Sequence, residues 1–401
     1  MMRRINEHNL RISTILAFIL IPLSGLATDV YLPSFPEMAE VFHTSSAGIQ
    51  QTLVFFLVSY GIAQFFAGSI LDSFGRYRLN LLALFILSAS NFVIIFTHQI
   101  HVVDLMRAIQ GICTAFIMVG KRALFVDAYT GEKQRHYTSL LTIVWSVAPI
   151  VAPFLGGYLQ KNFGWTSNFY LLGFYALIML LLEAIFSGES LNEPHPFRLP
   201  VILKNYRKLL GTPDFSAGVF ILGSIYTTVM VFNMSVPFIV EQRYHLSPVV
   251  TGYCALFSGV AMFIGGLAGK MLHSGSLYKR LVAGNLIQGG LILLMFISAS
   301  LFPSLIMIMV FVLLIHMTGG FLYNLLFTYC ITRFPRNAGM AGGITSGGSY
   351  MITSVASSGI LGLIAVTDQQ TLAISYLVFA LLTAGILGFL RYVPAGRLLQ
   401  A

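Results

Sequence analysis

Asp29 and Arg107 are the residues of this chain whose type and placement point first to chemistry. Asp29 stands in Thr28-Asp29-Val30-Tyr31-Leu32-Pro33, closing an apolar run, 12–31, that holds no other charged side chain. A lone carboxyl in hydrocarbon costs roughly 3 kcal/mol, so it has to face a cavity or a partner. Asp29 is therefore a candidate for proton or cation exchange. The bland alternative is that it caps the outer end of its helix at the membrane interface. Arg107 lies in a second apolar run, 102–126, which also carries Lys121 and Arg122. At 100° per residue Lys121 falls about 40° and Arg122 about 60° from Arg107, so the three cations share one broad helix face. Asp127 is available as a partner for Arg122. Lys121 has two readings: it snorkels to water from the inner mouth, or it forms an anion subsite suited to a carboxylate.

The remaining polar residues divide into cavity and packing candidates. Trp145, Tyr226, Phe232, Asn233, Tyr323 and Asn324 have side chains suited to lining a cavity. His316, just before Gly319-Gly320, is better read as a helix-to-helix hydrogen bond than as a proton relay. Glu183 and Glu241 are expected at the interfaces. His101 and Asp104 stand three apart, but no nucleophile or second histidine completes a catalytic or metal constellation, so an enzyme is not expected. Cys113, Cys254 and Cys330 lie in apolar runs without paired spacing, which suggests neither a disulfide framework nor a zinc site. No cofactor is implied.

The elements that must hold these residues are membrane spans. Of 401 residues 57% are hydrophobic and 9% charged, where soluble domains carry roughly 25% charged residues. Twelve segments of about 20 residues can each cross a ~30 Å core as helix: 12–31, 49–71, 79–97, 102–126, 139–159, 169–186, 218–240, 250–272, 281–301, 305–327, 340–364 and 371–390. The first is read as a retained span, not a cleaved signal, because it has no small-residue exit. Only 187–214, with four prolines, is a long polar interruption. The expected domains are thus 1–187, a six-helix bundle; 188–214, a cytoplasmic linker; and 215–401, a second bundle.

Charge placement orients the spans. Arg3, Arg4, Arg11, Arg76, Arg78, Lys133, Arg135, Arg198, Lys204, Arg207, Lys208, Lys270, Lys279, Arg280, Arg333, Arg336, Arg391 and Arg397 fall on one side, against Lys161 and Arg243 on the other. This bias puts both termini in the cytoplasm. The net charge of +9 therefore belongs to topology and not to nucleic acid. Within the linker, 199–210 alternates aliphatic and basic residues as a helix lying on the inner leaflet would. Gly339, Gly343 and Gly347, and Gly265 with Gly269, provide small-residue faces for helix contact. Those faces are used within one copy, so a monomer is the simplest expectation.

Gly68-Ser69-Ile70-Leu71-Asp72-Ser73-Phe74-Gly75-Arg76-Tyr77-Arg78 occupies the turn between the second and third segments. Gly68 permits close helix contact and Gly75 a tight turn, while Asp72 beside Arg76 and Arg78 can form a charge lock at the end of a neighbouring helix. This stretch resembles the signature loop of the major facilitator superfamily, departing from it at Ser73, where Arg is usual. Arg107-Ala108-Ile109-Gln110-Gly111 resembles the superfamily's proton-transfer motif, and Ala148-Pro149-Ile150-Val151-Ala152-Pro153-Phe154-Leu155-Gly156-Gly157 its antiporter motif. The Thr28 to Pro33 stretch, Phe163-Gly164-Trp165, and Arg122 with Asp127, Gly131 and Glu132 are similar to the drug/proton antiporter branch of the bicyclomycin-resistance type. A second acidic position that some members carry falls at Ile21 here.

The resemblance covers nearly the whole chain. It implies an all-α polytopic membrane protein with twelve transmembrane helices in two six-helix bundles around a central cavity. The implied activity is proton-coupled export of a small molecule, such as a drug, siderophore or metabolite, across a cell inner membrane by alternating access. Asp29 and Arg107 are then proton-coupling residues. Gly68, Asp72, Gly75, Arg76, Arg78, Pro149, Pro153, Gly156 and Gly157 are gating residues, and Lys121, Arg122, Trp145, Tyr226, Asn233, His316, Tyr323 and Asn324 are cavity residues. The alternative is import or facilitated movement of an anionic, carboxylate-bearing metabolite or siderophore.

Overall fold

The computed structural model describes residues 4–5, 7–191, 193–194, 196–271 and 275–392 and is helical along most of them. Arg3 and Arg397 of the basic set, and Leu272 at the end of one expected span, lie outside these residues, as does the side chain of Arg336. Eleven helical stretches among the described residues are long and apolar enough to cross a membrane. The glycine- and serine-rich Ala338–Leu363 is a further helix of 26 residues. The chain divides into two compact units, residues 1–198 and 199–401.

In the first unit the opening span is broken. α1 (Glu7–Leu20) stops before Pro22, which lacks the N–H a continuous helix would need there. α2 (Leu23–Asp29) restarts the chain, a single turn of 3-10 helix follows at Leu32–Ser34, and α3 (Phe35–Val41) completes the span. The segment therefore runs on to Val41. Asp29 lies inside it and not at its outer cap, which corrects the expected boundary at Tyr31. α4 (Ser46–Phe74), α5 (Arg76–Phe96), α6 (Ile100–Ala128), α7 (Gly131–Phe163) and α8 (Thr166–Phe186) supply the other five spans. Between α4 and α5 the chain turns at Gly75, whose φ of 91° suits a residue without Cβ.

Small residues bring backbones together in this unit. A Cβ at Gly156 of α7 would stand 1.7 Å from the Val30 carbonyl oxygen, and one at Gly25 of α2 would meet the Pro149 ring at 2.7 Å. A Cβ at Gly111 of α6 would lie 2.3 Å from the Phe56 carbonyl oxygen of α4. Apolar association gains little in lipid, so such contacts hold the bundle.

The second unit opens with α9 (Leu199–Leu210), an amphipathic helix that buries Ile202 and Leu209 and exposes Val201, Leu203 and Leu210. α10 (Pro213–Phe238) starts inside the stretch expected as linker and ends in a π-helical turn, Ile239–Arg243. α11 (Pro248–Met271), α12 (Leu277–Ser298), α13 (Leu305–Thr332), α14 (Ala338–Leu363) and α15 (Gln369–Tyr392) follow. α11 and α13 approach through Gly265 and Gly320, where a Cβ would meet the Met317 and Met262 carbonyl oxygens at 1.8 and 2.0 Å. Gly339, expected as a contact point, has nothing within 4 Å of a built Cβ, because it sits in the first turn of α14. Cys113, Cys254 and Cys330 are buried and unpaired by disulfide.

Candidate functional site

α2 and α6 bring the two leading candidates into one buried region of the first unit. Asp29 is 1% exposed, and its Oδ1 has no hydrogen-bond partner. Arg107 is fully buried, with no direct ion pair to Asp29. One guanidinium nitrogen donates to Gln110 Oε1 at 2.7 Å, and the other donates to the Ala27 carbonyl at 2.9 Å. The guanidinium carbon lies 4.4 Å from the ring centroids of both Tyr31 and Phe56. Tyr31 in turn shares a 3.1 Å hydrogen bond with Thr52. Arg107 thus pins the last turn of α2 two residues before Asp29, while Gly156 closes the other side of that turn. A carboxyl held this rigidly with a bare oxygen can take up a proton or a donor group of a ligand without rebuilding its surroundings.

At the other end of α6 the charges are paired. Arg76 donates to Asp72 at 2.7 Å and forms an ion pair with Asp127. Glu189, from the polar stretch after α8, accepts from the backbone N–H groups of Arg76 and Tyr77 at 3.2 and 3.1 Å, capping α5 where its first-turn donors point outward. Arg78 is exposed and takes no ion pair among the described residues. Asp127 therefore belongs to Arg76, correcting the pairing expected with Arg122. Lys121 is also reassigned: its ammonium meets Glu183 at 2.7 Å, with 8% and 0% of the two side chains exposed. The snorkelling Lys121, the free anion subsite and the interfacial Glu183 are all corrected by this buried pair. Nothing in the spacing of 62 residues between them signals it.

Arg122 is left over. It is exposed, has no ion pair among the described residues, and places its guanidinium carbon 5.7 Å from the Trp145 ring centroid. The Trp145 indole N–H donates to Ser24 Oγ at 3.1 Å, tying the ring to α2. Gly68, facing Val119 at 3.9 Å, and Pro153 and Gly157, buried in α7, lie in the helices around this region.

The second unit gathers the other candidates into two groups. His316 is fully buried, with Ser258 Oγ 2.7 Å from Nδ1 and Tyr376 Oη 3.1 Å from Nε2, so it links α11, α13 and α15. Phe232 stands edge-on to its ring at 5.5 Å, beside the 8%-exposed Asn233. Tyr226 has Tyr323 and Tyr350 rings at 6.1 and 5.8 Å, joining α10, α13 and α14. Asn324 packs against Gly269, 3.3 Å from its built Cβ. Sequence reasoning missed Ser258, Tyr376 and Tyr350 as partners. It also missed Asp214, which starts α10 and is bound by Arg333 at 3.0 Å and by the Tyr329 hydroxyl. Its place just after Pro213 was the available sign.

The chain is 26% identical over 375 residues to the uncharacterized MFS-type transporter YdgK of Bacillus subtilis, covering 92% of each. It is 31% identical over 190 residues to a bicyclomycin resistance protein homolog of Haemophilus influenzae, spanning 47% of this chain and 48% of that one. The crystal structure of a D-xylose-proton symporter superposes with a TM-score of 0.72 at 13% identity, covering 96% of this chain and 99% of the other. The family model for the Major Facilitator Superfamily matches residues 17–358. The chain is a multi-pass membrane protein and a transporter, and it belongs to the Major Facilitator Superfamily.

Proposed function

We propose that this chain exports a small molecule in exchange for protons, with both termini in the cytoplasm of a cell bounded by its inner membrane, and that it works as a single copy. The observation that carries this reading is Asp29, a buried carboxyl with one partnerless oxygen on a helix turn pinned by Arg107. With the site open to the outside, a proton taken by Asp29 displaces the donor group of a bound substrate. With the site open to the inside, loss of that proton lets substrate rebind. One proton moving down ~150 mV supplies on the order of 3.5 kcal/mol, enough for a few-hundred-fold gradient of a neutral substrate. Similarity to the Haemophilus bicyclomycin resistance protein homolog supports a drug-like substrate and the outward direction. The charge cluster of Asp72, Arg76, Asp127 and Glu189, which ties the ends of α4, α5 and α6 together, is the gating latch in this reading.

The test is purified protein in liposomes with an imposed pH gradient and a trapped pH dye, to which candidate drugs are added in turn. Asp29→Asn, whose amide mimics the protonated carboxyl, is expected to abolish substrate-dependent proton flux and uphill transport and to leave a weakened substrate binding that no longer responds to pH. Uphill transport at the unaltered rate in Asp29→Asn would overturn the assignment.

A further inference from the structure

We infer that Arg122 and Trp145 form a binding site for a small organic anion that carries an aromatic ring; this goes beyond the transport reading above. The first ground is charge. Three cations on α5 and α6 are already engaged: Arg107 by Gln110 and Ala27, Lys121 by Glu183, and Arg76 by Asp72 and Asp127. Arg122 alone among the α6 cations has neither an ion pair nor a hydrogen bond on its guanidinium among the described residues. A planar guanidinium offers a carboxylate or sulfonate two parallel donors.

The second ground is shape. Trp145 is held by Ser24, so its ring presents a fixed face beside that guanidinium. An aromatic acid can lay its ring on the indole while its carboxylate meets Arg122. The third ground is the charge of a cavity in the same unit. A cavity of about 890 Å³ in the same unit is lined by Arg11, Lys133, His136, Glu132, Tyr129 and Tyr137, so its rim is net basic. Phe125 stands 6.4 Å from Tyr129, 6.0 Å from Tyr137 and 5.0 Å from Phe18, and it follows Arg122 by less than one turn of α6. The unpaired guanidinium, the fixed indole and a basic cavity in the same unit thus agree on one ligand chemistry. The site lies ~22 Å along α6 from Arg107, fifteen residues at 1.5 Å each, so it is separate from the proton-exchanging pair.

Calorimetric titration of the purified full-length chain with 1-naphthoate, 1-naphthamide and 1-naphthylmethylamine tests this, because the three share a ring and differ in charge. Naphthoate is expected to bind at least about tenfold more tightly than the amide, and the amine most weakly. Arg122→Gln should remove that preference by lowering naphthoate affinity about tenfold while leaving the amide unchanged, and Arg122→Lys should restore part of it. Trp145→Leu should weaken the acid and the amide alike. Tightest binding of the amine, equal binding of acid and amide, an unaltered naphthoate affinity in Arg122→Gln, or no binding of any of the three overturns the proposal. The liposome assay keeps the two readings apart. Asp29-dependent proton flux with some other drug, alongside failure here, removes the anion site and leaves proton exchange standing.

Discussion

Lys121 and Glu183 meet where 8% and 0% of their side chains reach the surface. Taking two ions out of water costs more than a lone contact returns, so such a pair is poised: removing one partner strands the other, whereas replacing both by apolar groups is neutral or better. Lys121→Met should therefore lower stability by about 3 kcal/mol, read as a fall in melting temperature. Lys121→Met with Glu183→Leu should recover most of that loss. A single variant as stable as the parent would mean that the pair is not buried in the membrane. These two residues also mark what could be read at this scale beforehand. Asp29 and Arg107 announce themselves, since a charge in an apolar run has few excuses. Their neighbours do not, because a partner on another span leaves no local trace. Asp127 is available to Arg122 in the sequence, whereas the geometry gives it to Arg76 from a different helix.

The contact between α2 and α7 depends on one missing carbon. A Cβ at Gly156 would fall 1.7 Å from the Val30 oxygen, and the obstacle is backbone, which cannot rotate away. Gly156→Ala must push α7 off the turn that holds Asp29. The expected cost is about 1–3 kcal/mol in thermal unfolding, together with reduced proton flux in liposomes; normal flux and melting would show that the two helices can separate freely. The motif containing Gly156 was legible in the sequence, and so was the existence of each span. The cap on α5 was not. Glu189 reaches Tyr77 across 112 residues of chain, from a stretch whose composition says only that it is polar. The break in the first span was partly visible as Pro22, but its consequence, a span prolonged to Val41, needed the fold.

Hydropathy alone made the whole molecule legible as a row of spans, because a bilayer imposes one length on every helix that crosses it. It could not show that the two units repeat a local plan. In the first, Gly111 sits on the Phe56 carbonyl and Arg107 lies four residues before it; in the second, Gly320 sits on the Met262 carbonyl and His316 lies four residues before it. A cation holds the place in one unit that a histidine hydrogen-bonded to Ser258 and Tyr376 holds in the other. Such a correspondence between unlike residues has no signature in one sequence. The proposed orientation follows from basic residues on one side of the membrane, and it can be checked through another feature of the fold. Cys113, Cys254 and Cys330 are 6%, 4% and 0% exposed, shut inside helix contacts. The native chain is therefore silent to water-soluble thiol reagents, and a cysteine added at an exposed helix end will report alone. In intact cells an impermeant maleimide should label Asn162→Cys at once and reach Lys133→Cys only after the membrane is opened. The reverse pattern would turn the molecule over.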